Sequence, residues 1–210
     1  VDELAALFVA EITTGMNGTA IRAGLIGEIG CSWPLESVER RALQAAASAQ
    51  TDTGAAISVH PGRHPDACGA ILDILEEAGA DLSRVVLCHM DRPHPDGEGI
   101  AALLDRGAVV EWDFFGIEQS HYWMGAVALP TDLQRLGLIL RFAGLGHGDR
   151  IVISHDICTK TRMKTWGGHG YGHILRNMPA LMARLGYDED LVRAITRTTP
   201  LRLLTLKESA

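Results

Sequence analysis

Glu28, His60, His89, Asp113 and Asp156 can each bind a metal or move a proton, and each lies in or at the end of a short apolar run. The runs cover residues 23–29, 55–60, 85–89, 108–113 and 151–156. Two imidazoles with two carboxylates make a donor set suited to zinc or a similar divalent ion. A carboxylate can bridge two such ions, and a bridged pair generates hydroxide at neutral pH and polarises the bond it attacks. Asp156 would then hold a metal and accept the proton of the water. Taken singly, each residue has a plainer reading. A strand-end histidine can be a hydrogen-bonded core residue, and Glu28 can be a buried ion-pair partner. Four such residues at equivalent points of four runs favour the metal site.

Residues so far apart in sequence meet only if the runs carrying them lie side by side. Each run is aliphatic or β-branched and nearly continuous, the pattern of a strand buried on both faces. Helical patterns lie between them. Apolar residues recur at helical spacing over 38–49, 71–78, 100–104 and 133–143. Gly79, Gly107 and Gly144 stand as stop signals after the last three. Two more helices are expected over 174–185 and 189–196. Strand–helix alternation predicts a parallel sheet covered by helices. In a parallel α/β barrel the strand C-termini converge on one face, which holds the active site.

Composition narrows the class. The 210 residues suit one α/β domain spanning 1–210. The net charge of −7 argues against a nucleic-acid surface. No apolar run approaches the roughly 20 residues of a membrane span. No leader pattern follows Val1, so secretion is not signalled. Cys31, Cys68, Cys88 and Cys158 are too sparse for a disulfide scaffold, which favours reduced thiols and a cytoplasmic location.

The words at the run ends carry a resemblance. Gly24-Leu25-Ile26-Gly27-Glu28-Ile29-Gly30, Ser58-Val59-His60-Pro61-Gly62-Arg63 and Cys88-His89-Met90-Asp91-Arg92 resemble the phosphotriesterase-related family of the amidohydrolase superfamily. So do Glu111-Trp112-Asp113-Phe114-Phe115-Gly116, Ser154-His155-Asp156-Ile157-Cys158 and the glycine-rich segment from Gly167 to Leu175. The resemblance implies a (β/α)₈ TIM barrel with two divalent metals, usually zinc. It implies a hydrolase whose metal-bridging hydroxide cleaves an ester, lactone, phosphoester or amide bond of a small-molecule substrate. Glu28 would be the bridging carboxylate. His60 and His89 would bind the more exposed metal, and Asp156 the more buried one. A catalytically inactive fragment, or a binding protein on the same scaffold, is the alternative.

Two departures qualify the resemblance. The family's first strand ends in a His-x-His pair, and this sequence has none, so it matches strands four to eight, about five of the eight. Two open sheet edges then predict self-association as a homodimer. Organophosphate-cleaving members have a histidine after the seventh-strand aspartate, whereas Phe114 follows Asp113 here.

Other residues have two readings each. Arg63 and Arg92 follow the histidines and either hold an anionic substrate group or pair with Asp91 or Asp113. Asp91 and Asp113 are expected to orient ligands rather than bind metal. His169 and His173 lie in a glycine-rich segment read as a mobile lid, with His169 a substrate contact. Tyr122, with Trp112, Phe114, Phe115 and Trp123, forms either a substrate wall or core packing. His155 should point away from Asp156, and Cys88 and Cys158 are read as packing.

Overall fold

The computed structural model describes residues 1–120, 122 and 127–206; Trp123 lies outside them. Five strands, β1 (Leu25–Gly30), β2 (Ala56–His60), β3 (Val85–Leu87), β4 (Val109–Trp112) and β5 (Ile151–Ile153), form one sheet. Every pair is parallel and the order is sequential, β1-β2-β3-β4-β5. This is the arrangement expected of an arc of a (β/α)₈ barrel.

The anticipated helices are α2 (Ser37–Thr53), α3 (Pro65–Glu77), α4 (Ile100–Asp105), α5 (Asp132–Phe142), α6 (His173–Leu185) and α7 (Glu189–Arg193). Two more frame the sheet: α1 (Asp2–Thr13) and α8 (Thr199–Leu204). Local signals explain the helix starts. Glu36 and Glu39 form a reciprocal capping box on α2, as Thr131 and Gln134 do on α5. Gly54 ends α2 in the left-handed conformation.

Side chains alternate across the strands. Ile57, Val59, Leu87, Val110 and Trp112 point outward and pack with Leu43, Ile71, Leu75 and Ile139 of the helices. Ala56, Val86, Cys88, Val109 and Val152 face inward, against Leu203 of α8. Arg84, just before β3, donates to the carbonyls of Arg202, Leu203 and Thr205, which ties α8 to the sheet. Full burial of each large aliphatic side chain contributes roughly 1.5–3 kcal/mol, so the helix-facing layer dominates the stability of the arc. Among the described residues, no helix is long and apolar enough to cross a membrane.

The last three strands end earlier than the apolar runs suggested. His89, Asp113 and Asp156 lie beyond the ends of β3, β4 and β5. His89 (φ 60°) and Asp156 (φ 42°) adopt left-handed backbone, which ends the extended run. The consequence is functional. Strict alternation after inward Cys88 would send His89 toward the helices, and the left-handed turn brings its ring to the inner side instead.

Candidate metal centre

Glu28 reaches the site through a bulge in β1. Ile26 pairs with Ile57 and Ile29 with Val59, so β1 has one more residue than β2 over this stretch. Gly27 makes the bulge feasible. Its φ is 130°, and a Cβ there would lie 2.3 Å from the Ser58 carbonyl oxygen.

His60 ends β2, and its Nδ1 lies 3.3 Å from Glu28 Oε2. His89 Nε2 lies 3.0 Å from Glu28 Oε1 and 2.8 Å from His60 Nδ1. Two ring nitrogens and a carboxylate therefore converge on one point, and this trio can hold a metal ion. Behind it, His89 Nδ1 lies 2.7 Å from Asp113 Oδ2, which also accepts from the His89 backbone N–H at 3.0 Å. A carboxylate on the far nitrogen fixes the tautomer and leaves Nε2 bare toward the ion, an arrangement common behind metal-binding histidines. The residues present thus fit a divalent metal by donor type and direction.

The electrostatics agree. Contacts to His60 and His89 hold the Glu28 carboxyl well below the usual carboxylate range. Burial opposes a charge on His89, but Asp113 and Glu28 outweigh it and push the imidazole up to about 9. A cation is therefore favoured between these carboxylates, and a metal would replace the proton.

Asp156 stands apart from the trio. Arg162 Nη1 donates to its Oδ2 at 2.9 Å and to its backbone carbonyl. Arg92 is buried, with Nη2 3.1 Å from His60 Nε2, and it hydrogen-bonds Tyr122. Its guanidinium thus lies against the His60 ring. Tyr122 is also buried, its ring 5.8 Å from that of Phe114. Arg63 is exposed and lines an approximately 450 Å³ cavity with Ser32, Trp33 and His60.

Asp91 takes a partner the sequence did not indicate. It is fully buried against Arg135, itself fully buried, whose Nη1 donates to Asp132 at 2.7 Å and whose Nη2 donates to the Ile117 carbonyl at 2.7 Å. Asp132 also accepts from the Gly116 N–H and contacts His173 Nε2 at 2.7 Å. His173 therefore has a structural carboxylate partner. The Ile174 N–H donates to His155 Nε2 at 3.0 Å, so His155 too has a partner in α6.

The glycine-rich segment, expected as a lid, lies against Arg162. The Gly170 N–H donates to the Arg162 carbonyl at 2.9 Å, and a Cβ on Gly168 would meet the Arg162 backbone at 2.1 Å. Its glycines permit close packing on Arg162. His169 packs on Gly116, where a Cβ would lie 2.3 Å from His169 Cγ.

Glu111 is a functional candidate the apolar runs hid, because it precedes Asp113 by two residues in β4 and looked like strand interior. It contacts Cys88 and Ser154, one layer below the ligands, and burial together with the Asp113 charge pushes it up to about 7. The signal was a carboxylate within an otherwise apolar inward row. All four cysteines are free thiols, and Cys158 alone is exposed.

The chain is similar to known proteins. The phosphotriesterase family profile matches residues 1–204. An N-acetyltaurine hydrolase of Dictyostelium discoideum is 45% identical over 199 residues, covering 94% of this chain and 54% of that protein. The human N-acetyltaurine hydrolase is 42% identical over 208 residues, covering 99% of this chain and 60% of that protein. A resiniferatoxin-binding protein from Rhodobacter sphaeroides superposes with a TM-score of 0.90 at 38% identity, over 97% of this chain and 56% of its own. The chain thus spans little more than half the length of the relatives it matches, and its five parallel strands form part of the TIM barrel seen in such neighbours. With a profile match across nearly its whole length, the chain belongs to the phosphotriesterase family.

Proposed function

We propose that this chain carries part of the active site of a metal-dependent hydrolase that cleaves the amide bond of a small N-acyl substrate. The observation that carries the reading is the convergence of Glu28, His60 and His89, with Asp113 behind His89. Glu28, His60, His89 and Asp156 would hold divalent metal, most simply zinc. When bound, such ions supply an acidified water and a positive charge for the oxygen of the scissile carbonyl. The protein's own residues do the rest. Asp113 pairs with His89 Nδ1 and directs Nε2 inward, where a metal would take the place of a proton, and Asp156 would accept the proton of the attacking water.

Several relatives bear the name N-acetyltaurine hydrolase, which favours an amide over a lactone or a phosphoester. The absence of a histidine after Asp113 also weighs against organophosphate cleavage. A second reading is ligand binding without turnover, and the pairing of Asp156 with Arg162 favours it. Assays of N-acetyltaurine, a γ-lactone and an aryl phosphotriester in the presence of zinc separate these readings. Amide turnover that disappears in Glu28→Ala supports the proposal. Turnover unaffected by Glu28→Ala, or none with any substrate at full zinc loading, contradicts it.

A further inference from the structure

A cavity of about 720 Å³ opens next to Arg162. Its wall includes Thr159, Thr161, Arg162, Gly167, Gly168 and His169. Arg162 stands between cavity and centre: Nη1 donates to Asp156, and the guanidinium lies over Phe114, 5.5 Å from the ring centroid. Phe114 in turn packs on His89 at 5.7 Å. Arg162 thus touches one candidate ligand, Asp156, and is one ring away from another, His89.

The same wall is rich in donors. Arg162 is the cation of the lining, with Lys160 and Lys164 two residues away on either side in a chain of net charge −7. Thr159 and Thr161 add hydroxyls. His169 Nε2 is buried with no hydrogen-bond partner. The carboxylate on this wall, Glu118, already accepts from the Asp132 N–H at 2.8 Å. Both contacts from Arg162 to Asp156 leave from Nη1, whereas a guanidinium has five N–H groups in a rigid fork. The glycine-rich segment fixes that fork by packing on the Arg162 backbone.

We infer that Arg162 is the specificity-determining residue of an anion subsite, which receives a sulfonate or carboxylate on the amine side of the scissile amide. The inference rests on the amide-hydrolase reading for the position of the scissile bond. A planar guanidinium pairs oxo-anions through two parallel hydrogen bonds. The hydroxyls of Thr159 and Thr161, 2.9 Å apart, complete the cradle.

The test compares three ligands of similar size on the full chain: N-acetyltaurine, N-acetyl-β-alanine and neutral N-propylacetamide. Affinity is read by calorimetry for the native protein, Arg162→Lys and Arg162→Met, each checked for folding by near-UV circular dichroism. The anionic ligands should bind the native protein roughly 10- to 100-fold more tightly than the neutral one, the range for a charged hydrogen-bonded pair. Arg162→Met should abolish that preference. Arg162→Lys should keep the charge dependence but lose part of the affinity, and it decides the matter if the Met variant does not fold. The order of the two anions shows whether sulfonate or carboxylate is the fitted group. Equal binding of charged and neutral ligands overturns the inference, as does no binding of any. A parallel loss for all three in the Met variant also overturns it, since Arg162 would then only support Asp156. Turnover is followed in the same samples. Arg162-dependent anion preference without hydrolysis would sink the amide-hydrolase reading and leave the subsite standing.

Discussion

His60 Nδ1 and His89 Nε2 face each other at 2.8 Å, with the Glu28 carboxylate closing the third side at 3.3 and 3.0 Å. Two bare imidazole nitrogens this close repel unless a proton or a metal lies between them. Asp113 decides how His89 presents its nitrogen. Asp113→Asn should therefore weaken zinc binding by roughly 10- to 100-fold, the usual effect of losing a carboxylate behind a ligand histidine. Competition with a chromophoric chelator measures it, and a change under twofold would remove Asp113 from the centre.

Glu111 yields a pH prediction. Its folded-state value of about 7 lies above the ordinary 4.5, because burial and the Asp113 charge favour the neutral acid. The stability it contributes is complete below about pH 4.5 and is lost as pH rises through 7. Glu111→Gln keeps the shape without the titration. Relative to the native protein, the variant should gain stability from pH 5 to pH 8, by on the order of 3 kcal/mol at most. Melting curves at both pH values measure it, and a constant difference between the two proteins would contradict the assignment.

The thiols give a chemical prediction. Burial pushes Cys31 and Cys68 up to about 12 and Cys88 well above the ordinary thiol range, so none is a thiolate at pH 8. Cys158 is exposed. Ellman's reagent should titrate one thiol rapidly in the folded protein and four after denaturation. Fast reaction of two or more in the native state would show that the packing around the buried cysteines is wrong.

The parallel sheet and the meeting of Glu28, His60 and His89 were legible in sequence for one reason: buried parallel strands are continuous apolar runs, and a charged residue at such an end stands out. Glu28, His60 and His89 met as anticipated. The final placement of Asp156 was not legible, since a left-handed turn after β5 sends its carboxylate to Arg162. Arg162 itself carried no signal, because an arginine in a basic loop reads as a solvated charge. Glycine near His169 signals either freedom or close backbone packing, and Gly168 lies where a Cβ would meet the Arg162 backbone. The α1 and α8 helices were missed although Ala5, Phe8 and Ile12 of α1 have helical spacing, and α8 is short and starts at a Thr-Pro pair.

The Asp91–Arg135 pair makes a prediction about the frame of the site. Both side chains are fully buried, and Arg135 joins the loop after β3 to Asp132 at the start of α5. Asp91→Ala would leave part of a buried guanidinium uncompensated, which typically costs about 3–5 kcal/mol. Urea denaturation should show a loss of that size. A loss below about 1 kcal/mol would mean that the pair is dispensable and the loop after β3 is held by other contacts.

The most direct test of the metal centre is a zinc-soaked crystal examined by anomalous diffraction on either side of the zinc absorption edge. A peak about 2.0–2.2 Å from His60 Nδ1, His89 Nε2 and a Glu28 oxygen is the predicted result. Data from fully loaded crystals with no zinc among these three residues would contradict the account.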